Sequence, residues 1–320
     1  MGSKPFVRPP RLAPGCRVAL VAPAGPVLER DDLARAAALC AALGFEAVLA
    51  PHAGDRCGYL AGADQDRLDD LNAALRDPAI DAVWCIRGGY GVTRILDRVD
   101  FQPLVRRPKA ILGFSDITAL LAAVGRRAEV VAFHAPVARA SMPAFSRRHF
   151  ERVLCDGAAA GTLERMPPAP DVLVPQEHRI VTLRGGLAEG RLAGGNLTLL
   201  QHLVGTPYFP DLDGAILVLE EVNEALYRVD RSLAHLRMVG ALDRLAGVAI
   251  GRFTELTRHT GDGAFGLDEV LTHYFHPLGV PVALGFPIGH LDAQWTLPLG
   301  VRARLDADRG EVSILERAVQ

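Results

Sequence analysis

None of the five cysteines (Cys16, Cys40, Cys57, Cys85, Cys155) stands in a C-x-x-C pair. Without ligand spacing a zinc site is not expected, and the odd count among apolar neighbours suits reduced thiols in a cytosol-like compartment. No run of like charges occurs, and the formal net charge is only −2. Nucleic-acid and polybasic membrane surfaces need clustered Lys and Arg, so neither partner is expected. No stretch is long enough to span a bilayer. The first apolar segment after "MGSKPFVRPPRLAPGC" is short and ends in Pro and Gly, as a core strand does and a signal peptide does not. A soluble, cytoplasmic protein with a small, nearly neutral substrate fits these absences.

What is present is a globular composition of 320 residues, 49% hydrophobic and 22% charged, enough for two domains. The first half alternates. "CRVALVAPA", "FEAVLAP", "IDAVWCIRGG", "KAILGF" and "EVVAFHAPV" read as strands. Between them "ERDDLARAAALCAALG", "ADQDRLDDLNAALRDP", "GVTRILDRV" and "DITALLAAVG" read as helices. Strands of continuous Val, Ile, Leu and Ala separated by helices predict a mostly parallel sheet covered on both faces. Functional groups on such sheets gather at the carboxyl ends of the strands. From about residue 157 to 184 the chain is rich in Ala, Gly and Pro without a sustained period, and reads as a linker. Residues 185–320 offer short strand-like pieces and two helical stretches, "NLTLLQHLVG" and "YRVDRSLAHLRMVGAL". The expectation is an N-terminal α/β domain over 1–156 and a smaller, strand-rich α/β domain over 185–320.

Ser115 directly follows the strand "KAILGF" and opens the next helix. A hydroxyl there can attack a carbonyl while the N–H of Asp116 holds the oxyanion; it can also serve as an N-cap, the commoner role at a helix start. The stretch is not G-x-S-x-G, so the usual elbow motif does not decide between them. "IRGGYG" places Arg87, Gly88, Gly89, Tyr90 and Gly91 at another strand end, where glycines let a ligand approach and present N–H donors to an anion. The loop carries neither G-K-[ST] nor G-x-G-x-x-G, so it reads as half of an oxyanion hole or as a tight turn. Glu220, Glu221 and Glu224 follow the apolar strand "AILVL", placed to orient an imidazole. Among ten histidines, His290 in "GFPIGH" and His134 in "AFHAPVA" both follow apolar strands and compete for the base role.

Together "RVALVAPAGPV", "IRGGYG", "GFSD", "FHAP", "GGNLTLL", "LEEVNEALYRVDR" and "GFPIGH...TLPLG" occur in an order that resembles the LD-carboxypeptidases, the S66 family of serine peptidases. The similarity runs from about residue 16 to about residue 306. It implies a flavodoxin-like N-terminal domain, with the C-terminal domain supplying acid and base across a cleft. It further implies Ser115 as nucleophile, His290 as base and Glu220 as orienting acid, with Gly89 or Tyr90 and Asp116 as oxyanion donors. Where the family more often has Gly after the His of "FH", Ala135 stands here; where it usually has Asp after the Glu, Glu221 stands here. Arg87 and Gly88, from charge and position, and His134, beside the cleft, are expected to contact substrate. The activity implied is removal of the terminal D-Ala from a murein tetrapeptide, without metal or organic cofactor, by a homodimer. The family's microcin-immunity branch, which cuts an amide joined to a nucleotide-like group, is the alternative. That branch stacks the base on an aromatic residue of the mid-chain loop, and residues 157–185 contain no Trp, Tyr or Phe.

Overall fold

The computed structural model describes residues 5–29, 31–168, 178–257 and 265–320. Five apolar runs form β1 (Arg17–Val21), β2 (Glu46–Leu49), β3 (Ala82–Cys85), β4 (Ala110–Gly113) and β5 (Ala132–His134). They pair in parallel in the order β2-β1-β3-β4-β5. That is the flavodoxin-like order the resemblance implies. Every residue of β3 and β4 is buried, which is why these strands are apolar throughout and do not alternate. The helices are α1 (Asp32–Ala42), α2 (Asp64–Arg76), α3 (Gln102–Arg106), α4 (Thr118–Ala128) and α5 (Ala144–Leu154).

One expected helix does not form. The segment after Gly91 makes two short 3-10 turns, Val92–Arg94 and Leu96–Arg98, before α3 begins. Its β-branched Val92, Thr93, Ile95 and Val99 are poor helix formers, and Pro103 suits the first turn of a new helix better than the interior of an old one.

The second half forms β6 (Ala159–Thr162), β7 (Val181–Arg184), β8 (Leu187–Asn196), β9 (Ala215–Val222), β10 (Gly247–Thr254), β11 (Val282–Leu284), β12 (Leu297–Leu299), β13 (Arg302–Asp306) and β14 (Glu311–Arg317). All but β12 build one sheet, in the order β6-β14-β13-β8-β9-β10-β11-β7. Helices α6 (Leu197–Leu203), α7 (Leu226–Met238) and α8 (Leu267–Phe275) pack on one face of it, around Leu217, Leu219, Val248 and Ile250. The alternate residues Ile216, Val218 and Ala249 face the core shared with the first half. The segment read as a linker therefore carries strand at both ends: β6 and β7 are the two edges of the large sheet.

β12 belongs to the other sheet. It pairs antiparallel with β5, Leu297 opposite His134, so a segment from the second half finishes the first half's sheet. The chain ends are tied across as well, with the Gln320 N–H donating to Pro9 O and the Arg11 N–H to Gln320 O, both at 3.0 Å.

Candidate active site

Ser115 leaves β4 with φ +63°, a left-handed conformation that costs a non-glycine residue about 1–2 kcal/mol. The N-cap positions of the turn and of the helix behind it are Phe114 and Ile117, so Ser115 occupies neither. Its Oγ instead lies 3.0 Å from His290 Nε2. The cap reading is thus corrected: Ser115 starts a 3-10 turn, Ser115–Ile117, that runs into α4, and the side chain faces the other domain. On the far side of the ring, His290 Nδ1 lies 2.8 Å from Glu220 Oε2. One hydrogen-bonded line thus crosses from β4 through the loop after β11 to the end of β9.

Strand alternation separates the two neighbouring glutamates. Glu220 is fully buried and faces His290, where Gly289 leaves it room: a Cβ there would come within 2.7 Å of Glu220 Oε2. Glu221 points the opposite way and accepts from Asn196 Nδ2, the Thr198 N–H and the Val222 N–H at 2.8–2.9 Å. Burial raises its pKa, and those donors hold it down. Asn196 caps α6 through the Leu199 N–H, and its own N–H donates to Thr118 Oγ1 at 3.1 Å. Thr118 is three residues after the nucleophile candidate and Asn196 is in register with Glu220, so this pair fixes one domain's hydroxyl against the other's carboxylate.

The glycine loop presses directly on Ser115. A Cβ at Gly88 would meet Ser115 Cβ at 2.8 Å, so only glycine allows this approach. The buried carboxylate of Asp116 pins the loop by accepting from the Val92 N–H at 2.9 Å, with Gly91 also donating. Burial raises its pKa to about 6. Arg67 of α2 braces the same turn from behind, donating to Gly91 O at 3.0 Å and to Pro23 O. Sequence reasoning offered Asp116 for its N–H and missed its side chain; it missed Arg67 altogether. A charged residue in a helix gives no signal that its head will be buried in a loop of another element.

Gly89, at φ +106°, and Tyr90 follow Gly88 on the same turn, the exposed Tyr90 ring tilted against Tyr59 at 5.8 Å. Asp116 is second in its turn, where backbone N–H groups have no helical acceptor. Arg87 is half-buried and donates to Pro26 O at 2.6 Å. Burial lowers its pKa, as does Arg139. His134 is fully buried with neither ring nitrogen bonded among the described residues, so the structure does not join it to the hydrogen-bonded line. Burial lowers its pKa to about 4. Phe114 packs against both imidazoles, 5.7 Å from His134 and 4.8 Å from His290, and His134 forms part of the wall behind the line. A group of metal-ligand type that the spacing did not suggest, His52, Asp55 and Asp66, lies on the loop after β2 and on α2, apart from this line.

A flavodoxin-like lobe and a mixed-sheet lobe, with hydroxyl, imidazole and carboxylate aligned between them, have the architecture of a two-domain α/β hydrolase. Comparison with known proteins makes the class specific. The LD-carboxypeptidase N-terminal domain matches residues 18–135, and the LD-carboxypeptidase C-terminal domain matches residues 189–305. The murein tetrapeptide carboxypeptidase of Pseudomonas aeruginosa is 35% identical, over 92% of this chain and 94% of its own. The solved muramoyltetrapeptide carboxypeptidase of Oxalobacter formigenes superposes with a TM-score of 0.77 at 29% identity, covering 93% of this chain and 97% of that one. The microcin C7 self-immunity protein MccF superposes at 0.87 over 98% and 100%, at 24% identity, a likeness of fold. The chain belongs to the S66 LD-carboxypeptidase family, and is a carboxypeptidase hydrolase. No helix among the described residues is long and apolar enough to cross a membrane.

Proposed function

We propose that the protein is a serine-type L,D-carboxypeptidase, releasing the terminal D-Ala from murein tetrapeptides through an acyl-enzyme. The observation that carries this reading is the hydrogen-bonded line from Ser115 through His290 to Glu220. His290 Nε2 takes the Ser115 proton as Oγ attacks the scissile carbonyl, then delivers it to the departing D-Ala amine. Water, deprotonated by the same nitrogen, hydrolyses the ester and restores the hydroxyl. Glu220 fixes the tautomer with Nδ1–H toward the carboxylate and stabilises the imidazolium. The N–H groups of Asp116 and of Gly89 or Tyr90 hold the tetrahedral oxyanion, each such donor being worth roughly 3 kcal/mol in comparable hydrolases. Arg87 and the glycine loop with Gly88 face the substrate, and no step requires a metal or organic cofactor. The reaction belongs to cytoplasmic peptidoglycan recycling, carried out by a homodimer.

Mass spectrometry of a murein tetrapeptide digest tests the proposal. Wild-type protein releases D-Ala and leaves tripeptide, and Ser115→Ala, still folded, releases none; equal release by both would sink it. The fold likeness to MccF favours a second reading, hydrolysis of an aminoacyl nucleotide-like toxin. MccF has been solved with aspartyl sulfamoyl adenosine, which gives the competing substrate. Cleavage of that compound in preference to the tetrapeptide, judged by kcat/KM, moves the assignment to the immunity branch.

A further inference from the structure

Arg252 occupies an unusual place. The pairing of β9 with β10 passes from Leu219 opposite Ile250 to Glu221 opposite Phe253, so Gly251 and Arg252 together face Glu220 in a bulge. Bulges beside active sites re-aim a side chain. The Arg252 N–H donates to Ile288 O at 2.9 Å, two residues before His290, and a Cβ at Gly251 would strike the same Ile288. The backbone therefore fixes this residue to the acid's strand and to the base's loop at once.

The guanidinium at the end of that side chain has no counter-charge among the described residues. Its Nε and Nη2 are buried and bonded to nothing among the described residues. Burial lowers its pKa, and among the described residues no carboxylate offsets the effect. Other arginines of this lobe do find acids: Arg244 pairs with Asp213, and Arg302 and Arg304 with Glu189. The ionisable neighbour that feels Arg252 is His178, itself held below its ordinary pKa by burial and then by this arginine, which adds no negative charge. A guanidinium stays protonated in a protein, and leaving its buried donors unpaired is costly. Its planar fork matches a carboxylate with two parallel bonds.

We propose that Arg252 is a carboxylate-binding residue of the substrate site, its fork receiving a free carboxylate of the peptide held at Ser115. This rests on the peptidase reading. Two carboxylates qualify: the terminal one of D-Ala, and the second one of a diaminopimelate at the third position, where a lysine-type peptide carries a cation.

Steady-state kinetics on diaminopimelate-type and lysine-type tetrapeptides, with wild type, Arg252→Gln and Arg252→Lys, tests it. Arg252→Gln is expected to raise KM at least ten-fold while kcat stays within three-fold. Arg252→Lys, which keeps the charge and loses the fork, is expected to raise KM about three-fold. A rise confined to the diaminopimelate peptide identifies the side-chain carboxylate; an equal rise on both identifies a carboxylate common to them, the terminal one. Labelling of Ser115 by a serine-directed phosphonate at the wild-type rate shows that the line is intact in each variant. Wild-type KM on both peptides in every folded variant overturns the proposal. A wild-type enzyme that releases no D-Ala from either peptide overturns the peptidase reading instead.

Discussion

At Ser115 the local sequence favours a cap, and the family resemblance points to a nucleophile, because a hydroxyl between a strand and a helix is what both require. The backbone separates them: at φ +63° the side chain is turned away from the helix N–H groups and toward His290. Glu220 and Glu221 pose the same problem. Alternation along a strand guarantees that the two have different surroundings, but only the opposite domain determines which one meets the imidazole. Buried histidines have a different consequence. Burial lowers the pKa of His134 and of His149 from the ordinary 6.5 to about 4. Between those values the unfolded chain takes up protons that the folded chain refuses. Stability is thus fully present above pH 6.5 and is lost as pH falls toward 4. Asp116, raised to about 6, acts in the opposite direction and offsets part of the loss. His149 lies between Phe145 and Trp295, so His149→Phe fits the site. That variant should flatten the acid limb by up to roughly 3 kcal/mol, read from urea melts at a series of pH values. An unchanged slope would show that His149 does not contribute.

Elements differ in how well they announce themselves. The five parallel strands were legible because burial on both faces demands apolar runs, as in β3 and β4, whereas their order was what the family resemblance implied. Strands whose own residues break that pattern leave no such trace. β6 lies in an Ala- and Gly-rich stretch, and β12 contains Pro298, so neither resembles a strand until its partner is known. Helix α5 also went unread, since its charged residues conceal an inner face of Phe145, His149, Phe150, Val153 and Leu154. The glycine loop was legible as a place of close approach but not as to what approaches. Gly88 against Ser115 supplies the answer, and it sets a prediction. Gly88→Ala must displace the hydroxyl, and a misplacement of that order costs about 10²-fold in kcat. The measurement is D-Ala release by a variant whose melting temperature stays near wild type; undiminished turnover would mean that the loop yields easily.

Across the whole molecule, the two sheets are not separable halves. β12 closes the first sheet from within the second half, both chain ends pair at Pro9 to Arg11, and Trp295 donates to Glu164 O at 2.8 Å. Unfolding is therefore expected as one transition. Far-ultraviolet dichroism and tryptophan fluorescence, reporting through Trp84 and Trp295, should give coincident urea midpoints. Two resolved midpoints would argue for independent domains. His290 lies on the stretch that leaves β11 in one sheet and enters β12 in the other. The imidazole is therefore held in line only after β12, at Leu297–Leu299, has been made and has joined the first sheet. A chain cut short before β12 would carry Ser115 and Glu220 without the strand that anchors the stretch bearing His290.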